Sequence, residues 1–162
     1  AARLHRKTSS GKVRASRGCV SASTMPDSTS VAERYFTLAE ANAALAEVRP
    51  LAERMVERKR ALAAAERRRA EVLADIQGNG GGIPPTELAE RAEEVEREAQ
   101  ALGTYVERIH ALGAVVKDLD VGLVDFPSLR GDDEVLLCWR VGEDEIAYWH
   151  GTDEGFAARK PV

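Results

Sequence analysis

Cys138, Trp139, Tyr148, Trp149 and His150 fall within thirteen residues, Arg140 lies among them, and Asp125-Phe126 stands a short way upstream. A thiol, an imidazole and a carboxylate can ligate a metal or pair as nucleophile and base, and aromatic rings beside them can line a ligand site. Asp125, Phe126, Trp139, Arg140, Tyr148, Trp149 and His150 are therefore the candidate ligand-binding or partner-binding set. The competing structural account is that the aromatics close the end of a narrow core and Cys138 packs as a small hydrophobe.

Cys138 and His150 suit zinc or iron, but two ligands are too few unless Asp125 joins them. The chain has no CxxC, HxxxH or HExxH spacing. A metal on Cys138, His150 and Asp125 is thus the alternative, and no cofactor is the first expectation. A nucleophilic Cys–His pair is weaker still, because a mid-strand cysteine is usually buried and inert. No catalytic residue is assigned. Strand register decides whether the candidate ligands meet. If Val141 pairs with Glu145, Cys138 faces Tyr148 with His150 diagonal to it; if Val141 pairs with Ile146, Cys138 points away.

These residues need a scaffold, and the periodicity supplies one. Thr37 followed by Glu40 is a capping-box signature, with Phe36 at the staple position. Leu38, Ala41, Leu45 and Val48 then recur at helical spacing, and the pattern resumes as Leu51, Met55, Leu62, Ala65, Val72 and Ile76. Pro50 predicts a kink or restart. The glycine-rich run 78–82 reads as a hairpin turn; no Gly-Lys-Ser/Thr follows to make it a phosphate loop. A second helix is expected after Pro84-Pro85, with Thr86 as its cap. Its seam runs Leu88, Ala92, Val95, Ala99, Leu102, Val106, Ile109, Gly113, Val116, the spacing of a coiled coil. Basic clusters Arg58-Lys59-Arg60 and Arg67-Arg68-Arg69 would lie beside the acidic first half of the second helix in an antiparallel pair.

After Val116 the pattern alternates, predicting strands over 121–126 (stopped by Pro127), 134–141 and 145–150, then an irregular tail. The expected fold class is α+β: a long antiparallel helical hairpin with a small C-terminal antiparallel sheet. Helices are expected at about 37–77 and 86–116, and the sheet at about 121–150. Asp118-Leu119-Asp120 only begins a calcium-loop spacing. His110 reads as an ordinary helix residue.

The 162 residues carry a formal charge of −4, with 44% apolar side chains. Residues 1–30 hold six basic groups against Asp27, leaving the remainder with 17 basic and 26 acidic groups, a net −9. A body that acidic is a poor general nucleic-acid binder, so nucleic acid is not an expected partner. No apolar run nears the ~20 residues of a membrane-spanning helix, so no membrane partner is expected either. Two cysteines, Cys19 and Cys138, fit a reducing compartment, and the expected location is cytoplasmic. Residues 1–34 read as a disordered basic tail ahead of one domain at 35–162. Residues 1–24 are Arg- and Ser-rich and precede Met25, the expected true start; a transit peptide or a basic arm are the other readings.

The string from Gly122 to Val162, with the opening 36–51 and the Gly78–Gly82 turn, resembles the bacterial family called domain of unknown function 2203. Its most specific pieces are Gly122-Leu123-Val124-Asp125-Phe126-Pro127, Leu137-Cys138-Trp139, Gly142-Glu143, Trp149-His150 and Gly155-Phe156. Ala158 departs from the glycine usual in the family, and a left-handed backbone there would strain it. The resemblance implies a small soluble bacterial protein and assigns no activity. Because two helices cannot cover so long a seam, self-association is expected, most simply as a homodimer. The leading expectation is a non-catalytic scaffold whose sheet binds a partner protein or small ligand.

Overall fold

The structure is a computed structural model describing residues 34–79 and 84–162. The tail expected over 1–34 and most of the glycine-rich turn lie outside those residues, apart from Arg34 and the helical Gly78-Asn79. The chain forms α1 (Leu38–Asn79), α2 (Pro85–Ala111), β1 (Val115–Asp118), β2 (Leu123–Arg130), β3 (Asp133–Arg140), β4 (Tyr148–Gly151) and β5 (Lys160–Pro161). This is the expected α+β hairpin and antiparallel sheet.

The α1 start follows its capping box. Glu40 N–H donates to Thr37 Oγ1 at 3.2 Å, and Thr37 N–H donates to Glu40 Oε2 at 2.8 Å. The latter bond, foremost, holds the Glu40 carboxyl below its usual range. Phe36 is buried and meets Phe126 edge-on at 5.4 Å. Helix α1 runs through Pro50 without restarting, one unbroken element of 42 residues and about 63 Å.

Helix α2 packs antiparallel on α1, with Leu51, Met55, Leu102 and Ile109 in the shared core. Arg58 and Arg68 of α1 pair with Glu98 and Glu94 of α2, the expected charge match. Pro85 occupies the first turn, and Thr86 lies inside the helix rather than capping it. The helix ends at Ala111, earlier than the expected 116. Gly113 adopts φ +86° just beyond it, a left-handed stop that turns the chain into β1. His110 Nε2 accepts the Val116 N–H at 3.4 Å. Among the described residues no helix is long and apolar enough to cross a membrane.

The sheet is an antiparallel meander in the order β1-β2-β3-β4-β5. Pro127 does not stop β2, contrary to expectation. Its carbonyl accepts the Phe36 N–H at 2.7 Å, on the side of β2 that faces β1. A residue's N–H and C=O share one side of a strand, and β1 pairs only up to Asp125, so the missing donor of Pro127 interrupts no ladder bond. Asp118 Oδ1 accepts the N–H groups of Asp120 and Val121 at 2.8 and 3.2 Å, turn chemistry with no need of calcium.

Two corrections concern the C-terminal part. Strand β4 begins at Tyr148 rather than 145, because residues 141–147 form a longer connection pinned to α1. Arg49 donates to the carbonyls of Glu143 (2.9 Å) and Asp144 (2.5 Å), and Asn42 Oδ1 accepts the Ile146 N–H at 2.9 Å. The tail is also ordered: a 3-10 turn at Phe156–Ala158 leads into β5, which pairs with β4. Ala158 sits in that right-handed turn, so no strain arises from its side chain.

Candidate metal centre

Pleating sends alternate side chains to opposite faces of the sheet. Val124 and Phe126 of β2 and Leu137 and Trp139 of β3 enter the core shared with the helices. Asp125 and Cys138 therefore face the other way, and they are direct partners across the β2–β3 ladder. Cys138 in turn pairs with Tyr148, and Leu136 with His150. This is the first of the two registers considered from sequence, and it places His150 diagonal to Cys138 on the outer face.

The candidate residues thus divide. Phe126 and Trp139 are fully buried core side chains, and Trp139 Nε1–H donates to the Glu143 carbonyl at 2.9 Å. Trp149 leans on the core edge, its ring between Arg130 and Lys160. These aromatics do not converge with the polar residues. Asp125, Cys138 and His150 do: one ligating atom from each lies within 4.8 Å of the others. Their exposures are 0%, 0% and 2%. The outer face is covered by the C-terminal segment, where Arg159 lies over the Tyr148 ring at 4.7 Å and the Phe156 ring at 3.6 Å. Arg140 stands 5.4 Å from Phe156, and its N–H donates to Glu143 Oε2 at 3.0 Å.

His150 Nδ1 lies 2.8 Å from the Gly151 carbonyl, which can only accept, so Nδ1 carries a proton. In neutral imidazole that leaves the Nε2 lone pair turned toward Asp125, 3.3 Å from Oδ2. Neither oxygen of Asp125 has a hydrogen-bond partner of good geometry among the described residues. Burial, foremost, raises the Asp125 carboxyl above its usual range, and the charge of His150 opposes the rise. Burial and then the Asp125 carboxylate push the Cys138 thiol up to about 12.

Carboxylate, thiol and imidazole from three adjacent strands form a donor set for a mononuclear transition metal. A tetrahedral site with bonds of ~2.0–2.1 Å has ligand–ligand edges of ~3.3–3.4 Å. The Asp125–His150 separation of 3.3 Å already matches such an edge. The carbonyl on Nδ1 is the outer-shell partner that fixes a ligating histidine's tautomer.

Lys117 and Arg159, two cations beside this cluster, were not among the candidate residues. Lys117 Nζ lies 4.0 Å from Asp125 Oδ2, and the Arg159 guanidinium approaches Cys138 while bonding Glu143 Oε1 at 2.9 Å. Arg159 sits in the ending that carries the family resemblance, the one available signal; for Lys117 there was none.

Fold and site define an α+β protein: a helical hairpin bearing a meander sheet with a buried Asp–Cys–His cluster. The chain belongs to the family described as Uncharacterized conserved protein (DUF2203), whose model matches residues 34–162. No curated protein and no solved structure matches the chain.

Proposed function

We propose that this chain is a metal-binding protein holding one transition-metal ion, zinc foremost, on Asp125, Cys138 and His150. The observation that carries it is Asp125, wholly buried with neither oxygen in a hydrogen bond of good geometry and with two further donors close by. A buried carboxylate without hydrogen bonds costs several kcal/mol, and a bound cation removes that penalty. A plain Asp–His ion pair accounts for the same residues less well, because it would close the 3.3 Å gap with an aligned hydrogen bond. The mixed S, N, O donor set suits zinc, with iron as the alternative. Elemental analysis of protein purified without chelator is the test. About one ion per chain, lost in D125N, C138S and H150A, is the expected result. Metal-free protein that gains no thermal stability from added zinc overturns the proposal.

A second function, self-association as a scaffold, is supported by the far half of the hairpin. There Leu62, Leu73 and Ile76 of α1 and Leu88 and Val95 of α2 are only half-buried, while Ala65 and Val72 are buried. A second hairpin laid against this arm would cover them as a four-helix arrangement. Light scattering after size exclusion tests it: a dimer is expected, and a strict monomer at high concentration ends it.

A further inference from the structure

We infer that the C-terminal segment, residues 152–162, is a hinged strap over Asp125, Cys138 and His150 that opens to load and release the metal, with Arg159 as its latch. This rests on the metal-binding proposal and adds how the ion reaches its donors.

The donors themselves offer no route. Asp125 and Cys138 are 0% exposed and His150 is 2% exposed, so neither an ion nor a chelator touches them while the fold is closed. On the inner side of the sheet lie Val124, Phe126, Leu137 and Trp139, in the core shared with the helices. Entry from there would take the main core apart. On the outer side lies the C-terminal segment, and none of its residues is fully buried. Ala158 and Arg159 are half-buried and the rest are exposed. A segment with so few buried contacts opens at far lower cost than the core beneath it.

Its attachments divide into a hinge and a latch. At the hinge, Glu154 N–H donates to the Gly151 carbonyl at 3.0 Å, and Glu154 Oε2 accepts the Gly151 N–H at 2.8 Å. Those bonds are local and survive when the rest lifts. Beyond them, β5 is two residues long and pairs only with β4. Val162 N–H donates to the Ala147 carbonyl and Trp149 Nε1–H to the Pro161 carbonyl, each at 3.1 Å. The Lys160–Glu154 pair is exposed and holds little.

Arg159 is the charged side chain that the segment turns inward. Its guanidinium bonds Glu143 Oε1 at 2.9 Å, covers the Tyr148 ring and reaches Cys138. Glu143 belongs to the connection that Arg49 pins to α1, so the latch closes on a fixed point. A charge-assisted bond between partly buried partners is stronger than the neutral bonds of β5. Its loss should therefore raise the open population most.

The first experiment uses the metal-free full chain and iodoacetamide, with labelling of Cys138 read apart from Cys19 by peptide mass spectrometry. R159A and E143A should each speed that labelling roughly tenfold. Removing a cation from beside a thiol lowers its thiolate fraction, which alone would slow R159A. E143A keeps the guanidinium and only frees it. The second experiment follows zinc passing from the loaded chain to an excess of chelating dye, which both variants should speed by a similar factor. Labelling no faster in either variant, or faster labelling with unchanged zinc release, overturns the strap. An unaltered chain that takes up no zinc overturns the metal-binding proposal, an outcome on which the labelling does not depend.

Discussion

Asp125 on β2 and Cys138 on β3 are direct cross-strand partners, both completely buried on the sheet face that turns away from the helices. Each alone has a bland explanation. Together, with His150 Nε2 at 3.3 Å from the carboxylate, they concentrate desolvated donors where an apolar contact would be cheaper.

Metal removal should therefore destabilise the protein, while D125N should lessen the penalty in the metal-free form. Chelator-treated D125N is expected to melt at or above chelator-treated wild type, yet to gain nothing from zinc. Paired thermal melts with and without zinc check this. A large loss in D125N that is the same with or without zinc would assign Asp125 a purely structural role.

The pH dependence of the metal-free protein follows in sign. Asp125 is raised in the fold, so its contribution to stability is complete below the ordinary carboxyl range and is lost as pH rises through the folded value. Cys138 behaves likewise higher up, losing its contribution between its ordinary 9.0 and about 12. Denaturant titrations across pH, wild type against D125N and C138A, should show the two losses in separate windows. Glu40 runs the other way: its carboxyl is lowered by the Thr37 N–H, so its contribution is present above the ordinary range and fades as pH falls.

Gly122 should tolerate no side chain. At φ +65° an added Cβ would stand 2.4 Å from Val141 Cγ2 and 2.9 Å from Val56 Cγ2. Backbone strain and overpacking together predict that G122A loses about 2–4 kcal/mol, measured by urea unfolding.

Arg49 should matter to the site although it lies on the opposite side of the sheet. Its guanidinium holds the carbonyls of Glu143 and Asp144, and that connection sets where β4 begins. R49A is expected to cost about 1.5–3 kcal/mol for hydrogen bonds from a charged donor. It should also weaken zinc binding by loosening His150 against Cys138, read by competition with a chelating dye.

Much of the scaffold was legible because its signals are local. The Thr37–Glu40 box, the seam through Leu102 and Ile109, and the Arg58 and Arg68 charge matches each need only a few turns of helix. Where local rules competed, the reading slipped. Gly113 fits both a small seam residue and a left-handed stop, and the stop won because the chain had to turn into β1. Pro127 normally ends a strand; here its side of β2 lies beyond the reach of β1.

By itself, then, the sequence determined a helical hairpin, an antiparallel sheet and the presence of Asp125, Cys138 and His150, through side-chain periodicity and capping. Only the tertiary structure decided that those three meet. A one-residue slip between β3 and β4 would send Cys138 to the opposite face from His150. The register is held by Arg49 and Asn42, which grip the β3–β4 connection from about a hundred residues earlier in the chain. Contacts that distant leave no periodic trace, so convergence of the donors had to be seen in the folded molecule.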